Sequence, residues 1–238
     1  MPGLGTIINV ALIVVGGLAG LLVGKFIKKN IQDSLMIVCG VSTMFIAIGG
    51  ALKEMFVIED GVISTQGSMM MIITLCVGTL VGELLKLCDK LEKFGEWLKL
   101  KTGNAKDARF VNAFVTASLT VCVGAMAIVG SIKDGIELDP SILIAKGILD
   151  LVIIAVMAAS MGKGAIFSAI PVALLQGVVT VLARLISPVL TEAALSNISL
   201  TGSVIIFCVG INLIWNKNIR VANMLPALIF AGLWSLIG

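Results

Sequence analysis

Ile142-Leu143-Ile144-Ala145-Lys146-Gly147-Ile148-Leu149-Asp150-Leu151-Val152-Ile153-Ile154-Ala155-Val156-Met157-Ala158-Ala159-Ser160-Met161 is the stretch that decides how this chain is read. A short turn follows, Gly162-Lys163-Gly164, and then a second apolar run to Ala183. Each run matches the ~20 residues an α-helix needs to cross the hydrocarbon layer of a bilayer. The pair reads as a transmembrane hairpin. Lys146 and Asp150 stand one helical turn apart in its first arm, and Pro171 and Gln176 stand in its second. Ionisable groups in such surroundings mark a pathway, a binding site or a mutual pair.

Composition agrees. Of 238 residues, 58% are hydrophobic and 13% charged, with mean hydropathy +1.12. Soluble domains carry roughly 25% charged residues. The expected fold is an all-α, polytopic transmembrane bundle forming a single domain over residues 1–238. The chain has neither histidine nor tyrosine, which removes the commonest metal ligand and the commonest general base. Cys39, Cys76, Cys88, Cys122 and Cys208 include no CxxC pair and read as reduced, mostly apolar-buried residues. No metal and no cofactor is expected. A net charge of +3 on such a chain does not point to nucleic acid. Met1-Pro2-Gly3 lacks the basic start of a cleaved secretory signal.

Working outward from the hairpin, eight spans are expected. They cover about Thr6–Gly24, Ser34–Leu52, Gly67–Leu85 and Phe110–Ile132, then the two arms of the hairpin, then Leu200–Trp215 and Val221–Leu236. Between the third and fourth lies Lys86–Arg109, rich in lysine. There Leu87, Leu91, Phe94 and Leu98 recur at helical spacing and predict an amphipathic helix on the membrane surface or continuing the third span. The connections after the first, third, fifth and seventh spans carry lysine or arginine. Those after the second, fourth and sixth are acidic or lack basic residues; Lys133–Pro140 is the acidic one after the fourth. Basic loops face the cytoplasm, so both termini are predicted outside. Seven spans remain if one segment only dips into the membrane.

Gly16, Gly20 and Gly24 form a small-residue stripe on which a helix can pack closely. It permits a homodimer and serves packing within the chain equally well. Internal similarity is weak: Ala47–Glu54 with Ala127–Asp134, Cys76–Gly78 with Cys208–Gly210, and Lys29–Ile31 with Lys217–Ile219. It suggests repeated helical hairpins, a feature of transporter folds whose sites lie near the midplane.

Depth selects the site. At 1.5 Å per residue Asp150 lies roughly 14 Å in from Ser141. Gln176, Ser118 and Asn212 fall in the middle region, and Glu83 nearer the cytoplasmic face. Three readings of Asp150 stay open: a structural pair with Lys146, a cation or proton site, and a contact for a small polar solute. Gly124 and Gly130 in the fourth span and Pro171 in the sixth allow a helix to break and expose backbone to a cavity, or to kink and pack closely.

Four stretches carry a resemblance: Cys122–Gly135; Lys146–Asp150; Ser168-Ala169-Ile170-Pro171-Val172 with Gln176-Gly177; and Ile219–Leu228. In this order they resemble the bacterial membrane family of domain of unknown function 554, the YdfK/YqgA-like proteins, over essentially the whole chain. The resemblance implies an inner-membrane protein and supplies no substrate. Where the family has Gly-Pro-Met, this chain has Gly124-Ala125-Met126, which weakens the expectation of a broken fourth span.

The residues point to a transporter of a small solute or ion, secondary transport ahead of a channel, and not to an enzyme. Asp150 and Lys146 would be its charges, Gln176, Ser118 and Asn212 its neutral contacts, between the fourth and seventh spans. The alternative is a structural or regulatory membrane protein that acts on a partner or lipid through Lys86–Arg109.

Overall fold

The computed structural model describes residues 1–59, 61–122, 125–186, 191–215, 217 and 219–235. In chain order its helices are α1 (Leu4–Gly24), α2 (Lys29–Met55), α3 (Ser68–Leu85), α4 (Leu87–Lys101), α5 (Phe110–Cys122), α6 (Ala125–Ile136), α7 (Ser141–Met161), α8 (Ala169–Val181), α9 (Ala183–Ile186), α10 (Glu192–Trp215) and α11 (Pro226–Trp234). Short 3₁₀ turns, Lys163–Ser168 and Val221–Met224, precede α8 and α11. Two strands, β1 (Phe56–Glu59) and β2 (Val62–Thr65), pair antiparallel between α2 and α3. This hairpin stands where the sequence reading has a plain loop, and Gly61 before β2 has φ +77°.

Small residues set the pairing. The glycine stripe of α1 lies along α7, and the two helices run parallel. A Cβ at Gly16 would collide with the backbone of Leu151, at Gly20 with that of Ala155 and at Gly24 with that of Ala159. At this approach the helices gain dispersion contact over a long seam, which is what drives association inside lipid. The stripe is thus occupied within the chain. α2 runs antiparallel to α10, with Gly40 and Gly210 against each other's backbone and Gly50 against Ser203. α3 runs antiparallel to α11, with Gly78 against Ala227 and Gly82 against Asn223. The central core, where α1, α5, α7, α8 and α10 meet, includes Ile13, Ala117, Ile154, Met157, Val172 and Ile205.

Outward faces are apolar. Leu18 and Leu22 of α1, Phe45 and Ile46 of α2, Leu80 of α3 and Val152 of α7 are all exposed, as lipid contact requires. Among the described residues six helices are long and apolar enough to cross a membrane, or seven if α5 and α6, inclined at 62°, form one span. The eighth segment expected from the sequence is present there as a shorter apolar helix, Val221–Trp234, which begins with a 3₁₀ turn and continues from Pro226 as α11. It runs beside α3 from Gly82 to Met70, and Trp234 packs with the cluster at the end of α2.

Where one fourth span is expected, α5 and α6 are inclined at 62° although the proline is missing. Gly124, expected at such a break, lies outside the described residues. Gly130 is not a break: it sits inside α6, where a side chain would strike Leu143 and Ile142 of α7. Pro171 lies in the first turn of α8, where its missing N–H leaves no helical hydrogen bond unmade. Lys86, at φ +52°, separates α3 from α4. The apolar side of α4 does not simply face lipid: Leu91, Phe94 and Leu98 pack onto Phe110 and Phe114 of α5.

Candidate functional site

Lys146 and Asp150 face inward from α7 and are 6% and 3% exposed. The Lys146 ammonium donates to Asp150 Oδ2 at 2.5 Å and to the carbonyl oxygen of Val121 at 2.8 Å. Val121 lies near the end of the described part of α5. The lysine therefore ties the backbone of α5 to the carboxylate of α7. Asn9 of α1 lies over Gly147, its amide facing the same carboxylate, although neither amide atom reaches hydrogen-bonding geometry.

The other sequence-chosen residues separate from this pair. Ser118 is buried, and its hydroxyl donates back to Phe114 within α5. Asn212 uses both ends of its amide on the backbone of Ile219, holding the turn before Val221. Glu83 meets Arg220 at 2.9 Å in a half-exposed ion pair, and Arg220 also pairs with Asp89. Contact with Cys88 and the two carboxylates pushes the Arg220 guanidinium above its usual range. Burial, and then the Glu92 carboxylate, push the Cys88 thiol up. Asp139, before α7, accepts from the Ser141 N–H, which holds its carboxyl below the usual range.

Gln176 is fully buried on α8, with neither amide atom partnered. Its helix packs against α1 and α6, which carry further buried polar groups. Asp134, expected in an acidic loop, is instead in α6 and fully buried. Its Oδ2 accepts the Gly5 N–H, in the first turn of α1, at 3.0 Å. Thr6, Asn9 and Thr180 are likewise buried. Sequence reading passed over all four, since only the meeting of α1, α6 and α8 makes them neighbours.

Two cavities flank these groups. One of about 860 Å³ opens beside α4 and is lined by Asp89, Glu92, Asn112, Thr116, Asn212 and Arg220 among others, reaching Leu119 and Val209. Leu119 is two residues from the carbonyl that holds Lys146. The other, about 570 Å³, lies at the opposite end and includes Gly3, Thr6, Gly135, Gly177 and Thr180. Among the described residues no three His, Cys, Asp or Glu side chains gather as a metal site.

The family model described as "Protein of unknown function (DUF554)" matches residues 4–236. The chain belongs to the DUF554 family. It is 24% identical over 225 residues to "Uncharacterized membrane protein YdfK" of Bacillus subtilis (strain 168), covering 94% of this chain and 92% of that one. It is 26% identical over 233 residues to "Uncharacterized protein YqgA" of Escherichia coli (strain K12), covering 96% and 94%. No solved structure matches. With its apolar helices, this DUF554 chain is a bacterial multi-pass membrane protein.

Proposed function

We propose that this protein moves a small solute or ion across the bacterial cytoplasmic membrane by secondary, alternating-access transport. The observation that carries the reading is Lys146, buried in the bundle and bonded at once to Asp150 and to the Val121 carbonyl of α5, close to where α5 and α6 incline at 62°. Discontinuous helices with a charge at the break are the usual material of transporter sites. A charged solute opens the pair by replacing one partner, freeing α5 and α7 to separate. The cavities at opposite ends of the bundle, with the pair between them, support an occluded intermediate of such a cycle. The lysine-rich α4 supports a cytoplasmic position for that end of the bundle. Both termini then lie outside, as the packing of Trp234 near the end of α2 supports.

The test compares detergent-purified wild type with Lys146→Met/Asp150→Leu across a panel of ions and small metabolites. A ligand at a hundred times its Kd stabilises the folded state by about 2.7 kcal/mol. The expected result is a concentration-dependent rise in melting temperature in wild type only, and gradient-driven flux of that ligand in proteoliposomes. Equal responses in both proteins, or binding without flux, would overturn the reading.

A further inference from the structure

Seven of the eight buried side-chain polar atoms that lack a hydrogen-bond partner among the described residues lie on three helices that pack against one another, α1, α6 and α8. They are Thr6 Oγ1, both amide atoms of Asn9, Asp134 Oδ1, both amide atoms of Gln176 and Thr180 Oγ1. Buried polar groups are nearly always paired, so such a concentration calls for an occupant. The five side chains are 0–8% exposed.

Their order along the helices makes one place of them. Thr6 follows Gly5, whose N–H binds Asp134, and Asn9 is one turn further in. Thr180 is one turn from Gln176, and its carbonyl oxygen lies against Gly135, next to Asp134. Thr6, Gly135 and Thr180 line the cavity at this end of the bundle. A ligand entering there meets two hydroxyls first and a carboxylate behind them.

The donor set names the ligand. It comprises one carboxylate, two hydroxyls and one amide carbonyl, with no sulfur and no imidazole. Hard cations choose such oxygens, and soft transition metals do not. One carboxylate balances one positive charge, whereas a divalent ion would leave an uncompensated charge in a buried site. No lysine or arginine among the described residues forms an ion pair with Asp134. From this geometry we infer that Asp134, Thr6, Thr180 and Gln176 form a site for a monovalent alkali cation, with Asn9 between it and the Lys146–Asp150 pair. Transport would make this the coupling ion, a role that rests on the reading above; binding itself does not.

The test is equilibrium binding, which needs no transport. Detergent-purified protein is melted in choline chloride, with LiCl, NaCl or KCl replacing choline at constant ionic strength. Wild type is run beside Asp134→Asn, Thr180→Val and the Lys146→Met/Asp150→Leu double variant. The expected result is saturable stabilisation of wild type by at least one alkali cation over choline. Thr180→Val should need about tenfold more of that cation, the effect of one lost ligand. Asp134→Asn should melt at one temperature in all four salts, at or above wild type in choline, because its buried charge is gone. The double variant should keep the response. Identical melting of wild type in every salt overturns the site and leaves water as the occupant of the cluster. Unchanged half-saturation in Thr180→Val overturns it even if Asp134→Asn fails to fold. Cation binding without flux in proteoliposomes keeps the site and removes only the transport reading.

Discussion

Asp150 and Asp134 are both carboxylates taken out of water, and the bundle treats them in opposite ways. Asp150 is held by a lysine one turn away on its own helix, and that lysine is anchored again on α5. Asp134 receives one backbone N–H from α1, and its other oxygen has no partner among the described residues. The first centre is closed by an internal counter-charge. The second is left open at the same cost in desolvation, and a protein keeps such a group only where something else completes it. On the reading proposed above, the difference makes the first a gate and the second a binding place. α1 is the wall they share, with Asn9 beside the first and Thr6 beside the second.

The largest effect should come from cutting the closed centre in half. Lys146→Met leaves Asp150 buried and alone, and should cost ~3–5 kcal/mol of unfolding free energy, read from thermal or detergent-denaturant melting. Lys146→Met/Asp150→Leu, which removes both charges, should return to near wild type or above it. If the double variant melts as low as the single one, the pair is structural glue and the contrast with Asp134 collapses.

Gly20→Leu tests the shared wall. The side chain has no room against the Ala155 backbone, and overpacking of this kind should cost about 1–3 kcal/mol. It should also weaken the alkali-cation response, because α1 carries Thr6. A full cation response in a destabilised Gly20→Leu protein would show that α1 contributes nothing to the second centre.

Gln176→Met should have the smallest effect and a change of sign. In choline it replaces a buried, unpaired amide by an apolar chain of similar length, and should stabilise by roughly 1 kcal/mol. With saturating cation the advantage should vanish or reverse. Melting curves in the two salts, overlaid on wild type, decide it.

The closed centre was legible in the sequence because its partners are four residues apart, and helical periodicity alone puts them on one face. The apolar spans and the amphipathic α4 were legible for the same reason, being local patterns. The open centre was not. Asp134 follows an apolar run and precedes Gly135, Glu137 and Asp139, so it reads as a loop acid; only Gly5, 129 residues earlier, makes it a buried one. Asn9 and Thr6 are neutral groups in an apolar helix and signal nothing locally. Asn212 illustrates the reverse error. Its depth suggested a ligand contact, yet its amide is taken up by a turn seven residues on. Val221–Trp234 has the hydropathy of a span, and among the described residues it is a shorter apolar helix that begins with a 3₁₀ turn.

The parallel seam between α1 and α7 also governs the order in which the molecule can be made. Gly16 meets Leu151, its contact on α7, only after 135 further residues have left the ribosome. At ~5–20 residues per second that is an interval of about 7–27 s. Through it the first helix rests in the bilayer with its glycine groove uncovered, while α2 to α6 are inserted around it. The bundle therefore closes late and from its two halves, and the insertion machinery must tolerate an unfinished groove for most of translation.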